Sequence, residues 1–370
     1  IEKKGTRSMT GRTWRIGIVG ASTIADMCHI PGYEEQPDAR IVAVCDTHEG
    51  RAAAAAAAFE ARVFTDPGEL ADWDGVDAVS ICTPNATHAP LAITLLRAGK
   101  HVLCEKPPAL NADEARQMQA AAKAGGATLM YCLNFRFRPD IRTLKAYVDA
   151  GDLGEIYHAR TSMLRRRGAP IGSWFASKAL AGGGPLIDLG VHCFDWTYYL
   201  MGQPEPVSVF GATHRRIGAY AIEDLQAWTP AEMRGIRPAT VSTGEVEELA
   251  TALIRFANGA TLSLEVSWVL NTAANATSTE IYGTRAGAKL DPLTLFYDEN
   301  GRMVNKMPQV PEYPYPRMHA LAIRHFLDCL AEGREPITPA SYGVRIMTIL
   351  DAIYASAESG QAVTLDPAAV

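Results

Sequence analysis

The chain predicts an α/β protein in two parts: an N-terminal doubly wound parallel sheet, then an α+β domain built on a large, mostly antiparallel open sheet. Three observations carry that expectation. Between Trp14 and Leu133 short apolar, β-branched runs alternate with helix-forming segments, the pattern of βαβ units that places strands parallel. Polar loops follow the carboxyl ends of those runs, where open α/β sheets take their ligands. Beyond Gly154 the pattern changes to alternating apolar and polar residues, with Asn258-Gly259 as a hairpin turn, which reads as antiparallel sheet.

Composition sets the bounds. A chain of 370 residues is long enough for two domains, and 48% hydrophobic with 21% charged is the balance of a globular protein. A net charge of -6 and a pI near 5.9 exclude nucleic acid and an anionic membrane as main partners, since both need a basic field. No apolar run approaches the roughly 20 residues that span a bilayer, and the N-terminus lacks a secretory apolar core, so a cytoplasmic protein is expected. Residues 1–12 read as a tag or disordered leader, 13–134 as the first domain, 135–337 as a substrate and oligomerisation domain, and 338–370 as a helix returning towards the first domain. The 7 cysteines are scattered without a C-x-x-C pair, which points to reduced core thiols and to no metal site.

Trp14–Val19 is the first strand, and Gly20-Ala21-Ser22-Thr23-Ile24-Ala25 turns it into a helix that Pro31 interrupts. Such a turn aims backbone N–H groups and a helix N-terminus at a pyrophosphate. Ser22 stands where a dinucleotide fingerprint has its second glycine, and its hydroxyl is a candidate phosphate donor. The next strand, Arg40–Cys45, ends at Asp46, at the spacing of a carboxylate that grips the adenosine ribose diol. Asp46 with Thr47 beside it favours NAD; NADP is less expected, with Arg51 its one local support. An ordinary turn residue is the plainer reading of Asp46.

After an alanine-rich helix, Arg51–Phe59, come strands at Val63-Phe64 and Val76–Cys82. The loop Thr83-Pro84-Asn85-Ala86-Thr87-His88 follows, with Asn85 and His88 placed to meet a nicotinamide ribose or, as isolated residues more often are, serving as turn and cap residues. The helix Ala89–Ala98 closes at Gly99 and delivers the strand of HVLCEKPP, His101–Pro108. Pro107 restricts Lys106 to extended backbone and so aims its ammonium outward from the strand end. Lys106 is therefore a candidate for chemistry, against the plain alternative of a solvated strand end.

The helix Asn111–Gly125 and the strand Thr128–Leu133 complete the first half. Asn134–Pro139 reads as a hinge, in which Asn134 and Arg136 by composition alone could equally be a surface strand end with ordinary charges. The run Gly154–Arg165 has strand character, and Arg165-Arg166-Arg167 reads as a solvated edge. Trp174 offers an apolar face for a sugar ring or nicotinamide, or else fills the core. Gly182-Gly183-Gly184-Pro185 reads as a flexible loop before the helix Leu186–Met201. On that helix Asp188 and His192 are four apart and share a face, and a carboxylate beside an imidazole raises its basicity and orients it for general-base work. A first-turn Asp serving the helix dipole is the competing reading. Arg215–Gly244 is irregular and reads as a long loop, Tyr313 and Tyr315 are possible pocket walls, and the final helix, Ser341–Ser359, offers Ile346, Ile349, Leu350 and Ile353 for burial.

The succession GASTIA, VCD, CTPNATH, AGKHVLCEKP and GGGPLIDLGVHCFD resembles the glucose-fructose oxidoreductase, inositol dehydrogenase and MocA (Gfo/Idh/MocA) family of NAD(P)-dependent sugar oxidoreductases, from about Trp14 onward. The resemblance implies a Rossmann domain with NAD bound by Gly20, Ala21, Ser22, Thr23, Ile24, Asp46, Thr47, Thr83, Pro84, Asn85, His88, Glu105, Lys106 and Asn134. It implies Lys106, Asp188 and His192 as catalytic residues, with Arg136 and Trp174 joining them around a sugar or polyol. It further implies a cis Lys106–Pro107 bond, and a homodimer or homotetramer formed through the C-terminal sheet. Ala322 stands where relatives commonly carry a glutamate. The reaction expected is hydride transfer between nicotinamide and a ring hydroxyl of a sugar, inositol or anhydrosugar. The alternatives are an NAD-using glycosidase of the same fold and a non-catalytic NAD- or sugar-sensing regulator.

Overall fold

A computed structural model of the chain describes residues 12–170, 174–221, 240–312 and 314–366. The expected leader (apart from Arg12), Tyr313 and most of the irregular segment, residues 222–239, lie outside the described residues. The chain divides into two compact units, residues 1–134 with 314–344, and residues 135–313 with 345–370.

In the first unit six strands form one sheet: β1 Trp14–Val19, β2 Ala39–Cys45, β3 Arg62–Phe64, β4 Ala78–Ile81, β5 His101–Cys104 and β6 Leu129–Tyr131. Their order is β3-β2-β1-β4-β5-β6, every pairing is parallel, and this is the doubly wound order with its switch point between β1 and β4. Ile16, Ile18, Val44, Val79, Ile81, Val102 and Leu103 are fully buried, as strands covered on both faces require. Register decides where chemistry can sit. Val19 pairs with Cys45 and with Ile81, Ile81 with Cys104, and Cys104 with Tyr131. The carboxyl ends therefore finish level, and Gly20, Asp46, Thr83 and Lys106 emerge along one edge.

The second unit holds a nine-stranded sheet in the order β16-β15-β14-β13-β7-β12-β11-β8-β17. Its strands are β7 Ile156–Leu164, β8 Pro206–His214, β11 Leu249–Phe256, β12 Thr261–Ser267, β13 Ala276–Gly283, β14 Ala286–Leu290, β15 Thr294–Glu299, β16 Arg302–Lys306 and β17 Val363–Thr364. All neighbours are antiparallel except β7 and β12. A separate two-stranded ribbon, β9 Ala219–Ala221 with β10 Thr240–Ser242, closes the described ends of the irregular segment. Strands β14 to β17 and this ribbon have no counterpart in the sequence reading. AGAKL, for instance, has little β-branched content and is held by its neighbours rather than by its own preference.

The division differs from the expected boundaries. The helix Tyr315–Glu332, expected in the second domain, groups with the first unit. The final helix, Ala340–Ser359, contributes only its first turn to that unit. From Arg345 onward it belongs to the second unit, where Gly211 of β8 leaves room for it: a Cβ at Gly211 would lie 2.8 Å from the Ile353 carbonyl oxygen. Ser356 Oγ also accepts from Gly211 N at 2.9 Å, which fixes that packing.

Candidate active site

Gly20 has φ +91, and a Cβ there would meet the Cys82 carbonyl oxygen at 2.8 Å and Thr83 Cγ2 at 2.7 Å. Only glycine lets the turn pass this close to the β4 end. Asp46, at the end of β2, accepts from Ala21 N at 3.0 Å and from His48 N at 2.8 Å, and pairs with Arg51 at 3.0 Å. The carboxylate thus holds the turn in place and keeps lone pairs for further donors. This glycine turn, backed by a carboxylate at the next strand end, fits the adenosine and pyrophosphate of a dinucleotide. Ser22 departs from expectation: its hydroxyl donates to the Cys82 carbonyl at 2.7 Å and is spent inside the fold rather than on a phosphate.

His88 departs too. It is fully buried, with Nδ1 2.8 Å from the Pro107 carbonyl and Nε2 3.0 Å from that of Thr83. Burial lowers its pKa below the ordinary histidine value, and both ring nitrogens lie against main-chain carbonyls of the Thr83 loop and the Lys106-Pro107 turn rather than open space. The Lys106–Pro107 peptide is cis. Asn85 is buried and Lys106 half-buried, while Thr47 is exposed. Glu105 is buried, its Oε2 accepting from Lys106 N at 3.2 Å and its Oε1 lying 2.8 Å from His29 Nε2. Asn134 is buried as well, 3.4 Å from His319 Nδ1.

In the second unit the GGGP segment is not loose. A Cβ at Gly183 would lie 1.9 Å from Tyr354 Oη, and one at Gly184 would lie 2.2 Å from the Glu247 carbonyl oxygen. The glycines are there for close approach. Glu247 accepts from Gly184 N at 2.9 Å, Leu186 N at 3.1 Å and Tyr354 Oη at 2.8 Å, and so caps the turn that starts the helix. Burial and the Glu247 charge push the Tyr354 phenol well above its ordinary range, which keeps it a donor. Leu186–Gly190 is a π-helical turn and Val191–Leu200 the α-helix that follows. Wide turns of this kind recur at functional sites.

Asp188 is half-buried, and its Oδ2 accepts from Trp268 Nε1 at 3.0 Å. His192 is buried against the edge of Phe135, ring centroids 4.7 Å apart. Trp174 stacks on Phe175 at 3.7 Å, and Phe175 meets Trp268 edge-on at 6.4 Å. This aromatic series runs from the half-buried Trp174 to the indole that holds Asp188.

Arg136 is a correction. Its guanidinium is fully buried and forks onto Asp195, with Nε at 2.9 Å and Nη2 at 2.7 Å from Oδ1, and it lies 4.6 Å from the Tyr199 ring centre. A buried guanidinium needs a carboxylate partner, and here that partner is internal rather than a substrate. Trp268, Glu247 and Glu248 were missed by the sequence reading. Glu248 accepts from Arg216 N and Ile217 N, each at 2.7 Å, and also from Gly218 N, and anchors one end of the irregular segment. Burial opposes its ionisation, but these backbone donors hold its pKa below the ordinary value. No local pattern marks any of the three, since each acts on residues far along the chain. The arginine run is tied down: Arg167 donates to the Leu270 carbonyl at 3.2 Å and to Asn271 Oδ1 at 2.9 Å.

A doubly wound sheet with a glycine turn and a ribose-spaced carboxylate, joined to a unit carrying an Asp-x-x-x-His helix, defines an NAD-dependent oxidoreductase. A family model described as "Oxidoreductase family, NAD-binding Rossmann fold" matches residues 14–132, and one for the GFO/IDH/MocA C-terminal domain matches residues 141–289. The chain belongs to the Gfo/Idh/MocA family. D-glucoside 3-dehydrogenase of Escherichia coli is 35% identical over 361 residues, 97% of this chain and 99% of that protein. Levoglucosan dehydrogenase of Pseudarthrobacter phenanthrenivorans is 29% identical over 336 residues, 81% of this chain and 84% of that one. A structure of levoglucosan dehydrogenase in complex with NADH and L-sorbose superposes with a TM-score of 0.83 at 25% identity, covering 96% of this chain and 99% of the other. Among the described residues no helix is long and apolar enough to cross a membrane.

Proposed function

We propose that this NAD-dependent oxidoreductase oxidises, reversibly, a ring hydroxyl of a pyranoside or anhydrosugar. One observation carries the reading: Lys106 emerges at the level carboxyl edge of the sheet that also presents Gly20 and Asp46. The substrate class follows from likeness to D-glucoside 3-dehydrogenase over nearly the whole of both chains.

NAD, when bound, supplies the acceptor for the carbinol hydride. Gly20, Ala21 and the start of the helix at Thr23 receive the pyrophosphate, and Asp46 receives the ribose diol. Thr47, Pro84, Asn85 and Asn134 remain proposed neighbours of the cofactor. His192 removes the hydroxyl proton, Asp188 orients it and raises its basicity, and Trp268 fixes Asp188. Lys106 stabilises the negative charge that grows on the oxygen. Trp174 supplies an apolar face for the sugar ring.

The open face of the large sheet exposes Tyr157, Phe210, Leu253 and Phe296, with Phe210 and Leu253 directly opposite each other. A homodimer or homotetramer would cover it, and a cytoplasmic location accords with the reduced cysteines. The test follows NADH absorbance on a panel of glucosides, anhydrosugars and inositols, with NAD and NADP. Lys106→Ala should cut turnover by orders of magnitude while NAD binding persists. Retained turnover would end the assignment of Lys106, and aglycone release without NADH accumulation would replace a dehydrogenase with a glycosidase.

A further inference from the structure

Behind the Lys106 edge, wholly within the first unit, four side chains from four elements converge. They are His29 from a π-helical turn, Glu105 at the end of β5, Cys132 just after β6, and His319 from the helix Tyr315–Glu332. All four are buried, and one nitrogen, oxygen or sulfur atom of each lies within 4.8 Å of the others. The cofactor reading uses neither histidine nor the thiol.

We propose that His29 Nε2, His319 Nε2, the Glu105 carboxylate and Cys132 Sγ form a binding site for a divalent cation of the zinc class, structural rather than catalytic. The donor set is two imidazoles, one carboxylate and one thiolate, which suits a tetrahedral d-block ion and not magnesium or calcium. Bond lengths of about 2.0–2.3 Å place tetrahedral ligands about 3.3–3.6 Å apart. His29 Nε2 stands 2.8 Å and His319 Nε2 3.6 Å from Glu105 Oε1, so these two edges bracket the required spacing. No edge exceeds 4.8 Å, so none need close by more than about 1.5 Å to reach that spacing.

The outer contacts have the form such a site needs. His29 Nδ1 lies 3.1 Å from Ser80 Oγ, which in turn lies 2.8 Å from Tyr33 Oη. His319 Nδ1 lies 3.4 Å from the Asn134 amide nitrogen. Each Nδ1 has a polar neighbour and each Nε2 is turned to Glu105, the arrangement in which an outer contact orients a ligating histidine. Cys132 enters as thiolate, its proton passing to solvent as the metal binds.

The test uses the full chain, stripped with a chelator and titrated with Co2+. The expected result is one equivalent bound, with tetrahedral d–d bands and a thiolate-to-cobalt charge-transfer band, and displacement by Zn2+. Cys132→Ser should keep the fold but lose the charge-transfer band, which separates Cys132 from the other six buried cysteines. His319→Ala should weaken binding by about tenfold or more. Absence of stoichiometric binding, or a cobalt spectrum unchanged by Cys132→Ser, overturns the site. Neither outcome bears on the dehydrogenase reading, because no readout depends on turnover.

Discussion

Replacing Arg136 separates a structural role from a substrate contact. Its side chain is 0% exposed and that of Asp195 1%, with the guanidinium forked onto the carboxylate. Removing one partner leaves the other charge buried and unpaired, at a cost of about 3–5 kcal/mol. Arg136→Met and Asp195→Leu should each incur that loss. At roughly 2–4 °C per kcal/mol for a unit of this size, the midpoint of thermal unfolding falls by about 6–20 °C. The double variant removes both charges and should recover most of the loss, because two apolar side chains in that volume need no partner. The assay is thermal and urea unfolding of the four proteins, with KM measured on each that remains folded. If Arg136→Met raised KM strongly while the unfolding midpoint stayed within about a degree, the guanidinium would be serving a ligand, and the pairing argument would fail.

Three further expectations follow from the same structure. Gly20→Ala forces a side chain into left-handed backbone, a cost of about 1–2 kcal/mol before its contact with the Cys82 carbonyl, so NADH titrated by fluorescence should bind at least several-fold more weakly. Trp268→Phe removes the donor to Asp188, a charged hydrogen bond of about 1.5–3 kcal/mol, and should lower kcat by roughly tenfold or more; in an Asp188→Asn background it should add little. Burial works against the Asp77 carboxylate, but hydrogen bonds from Arg15 and the charges of Arg15 and Arg12 hold its pKa down to about 2. A group depressed below its unfolded value of about 3.9 contributes fully above that pH and loses its contribution as pH falls towards about 2. Unfolding midpoints of the parent and Asp77→Asn should therefore converge across that window and stay apart above about pH 5. Parallel curves throughout would assign the difference to something other than this carboxylate.

How far the letters alone reach can be seen residue by residue. The parallel sheet was legible because its strands are buried on both faces and its turns carry glycine and aspartate where backbone geometry and charge demand them. Lys106 at a strand end and Asp188 four before His192 were legible for the same reason: their signals are local. Strands β14 to β17 were not: in β14, for example, Ala, Gly and Lys take strand form only through the partners on either side. Local reasoning also cannot find the internal partners of polar side chains when those partners are distant in the chain. Ser22, His88 and Arg136 are placed by contacts to Cys82, Pro107 and Asp195, and nothing near them in sequence reveals that those contacts satisfy them. Trp268, Glu247 and the His29, Glu105, Cys132 and His319 cluster went unread in the same way. The sequence by itself determined the fold class, the cofactor and the level edge from which Lys106 projects, because period, propensity and turn chemistry act between near neighbours. Tertiary structure alone decided which buried charges meet, because a polar group removed from water is satisfied by whatever the fold brings within about 3 Å, however far away it lies along the chain.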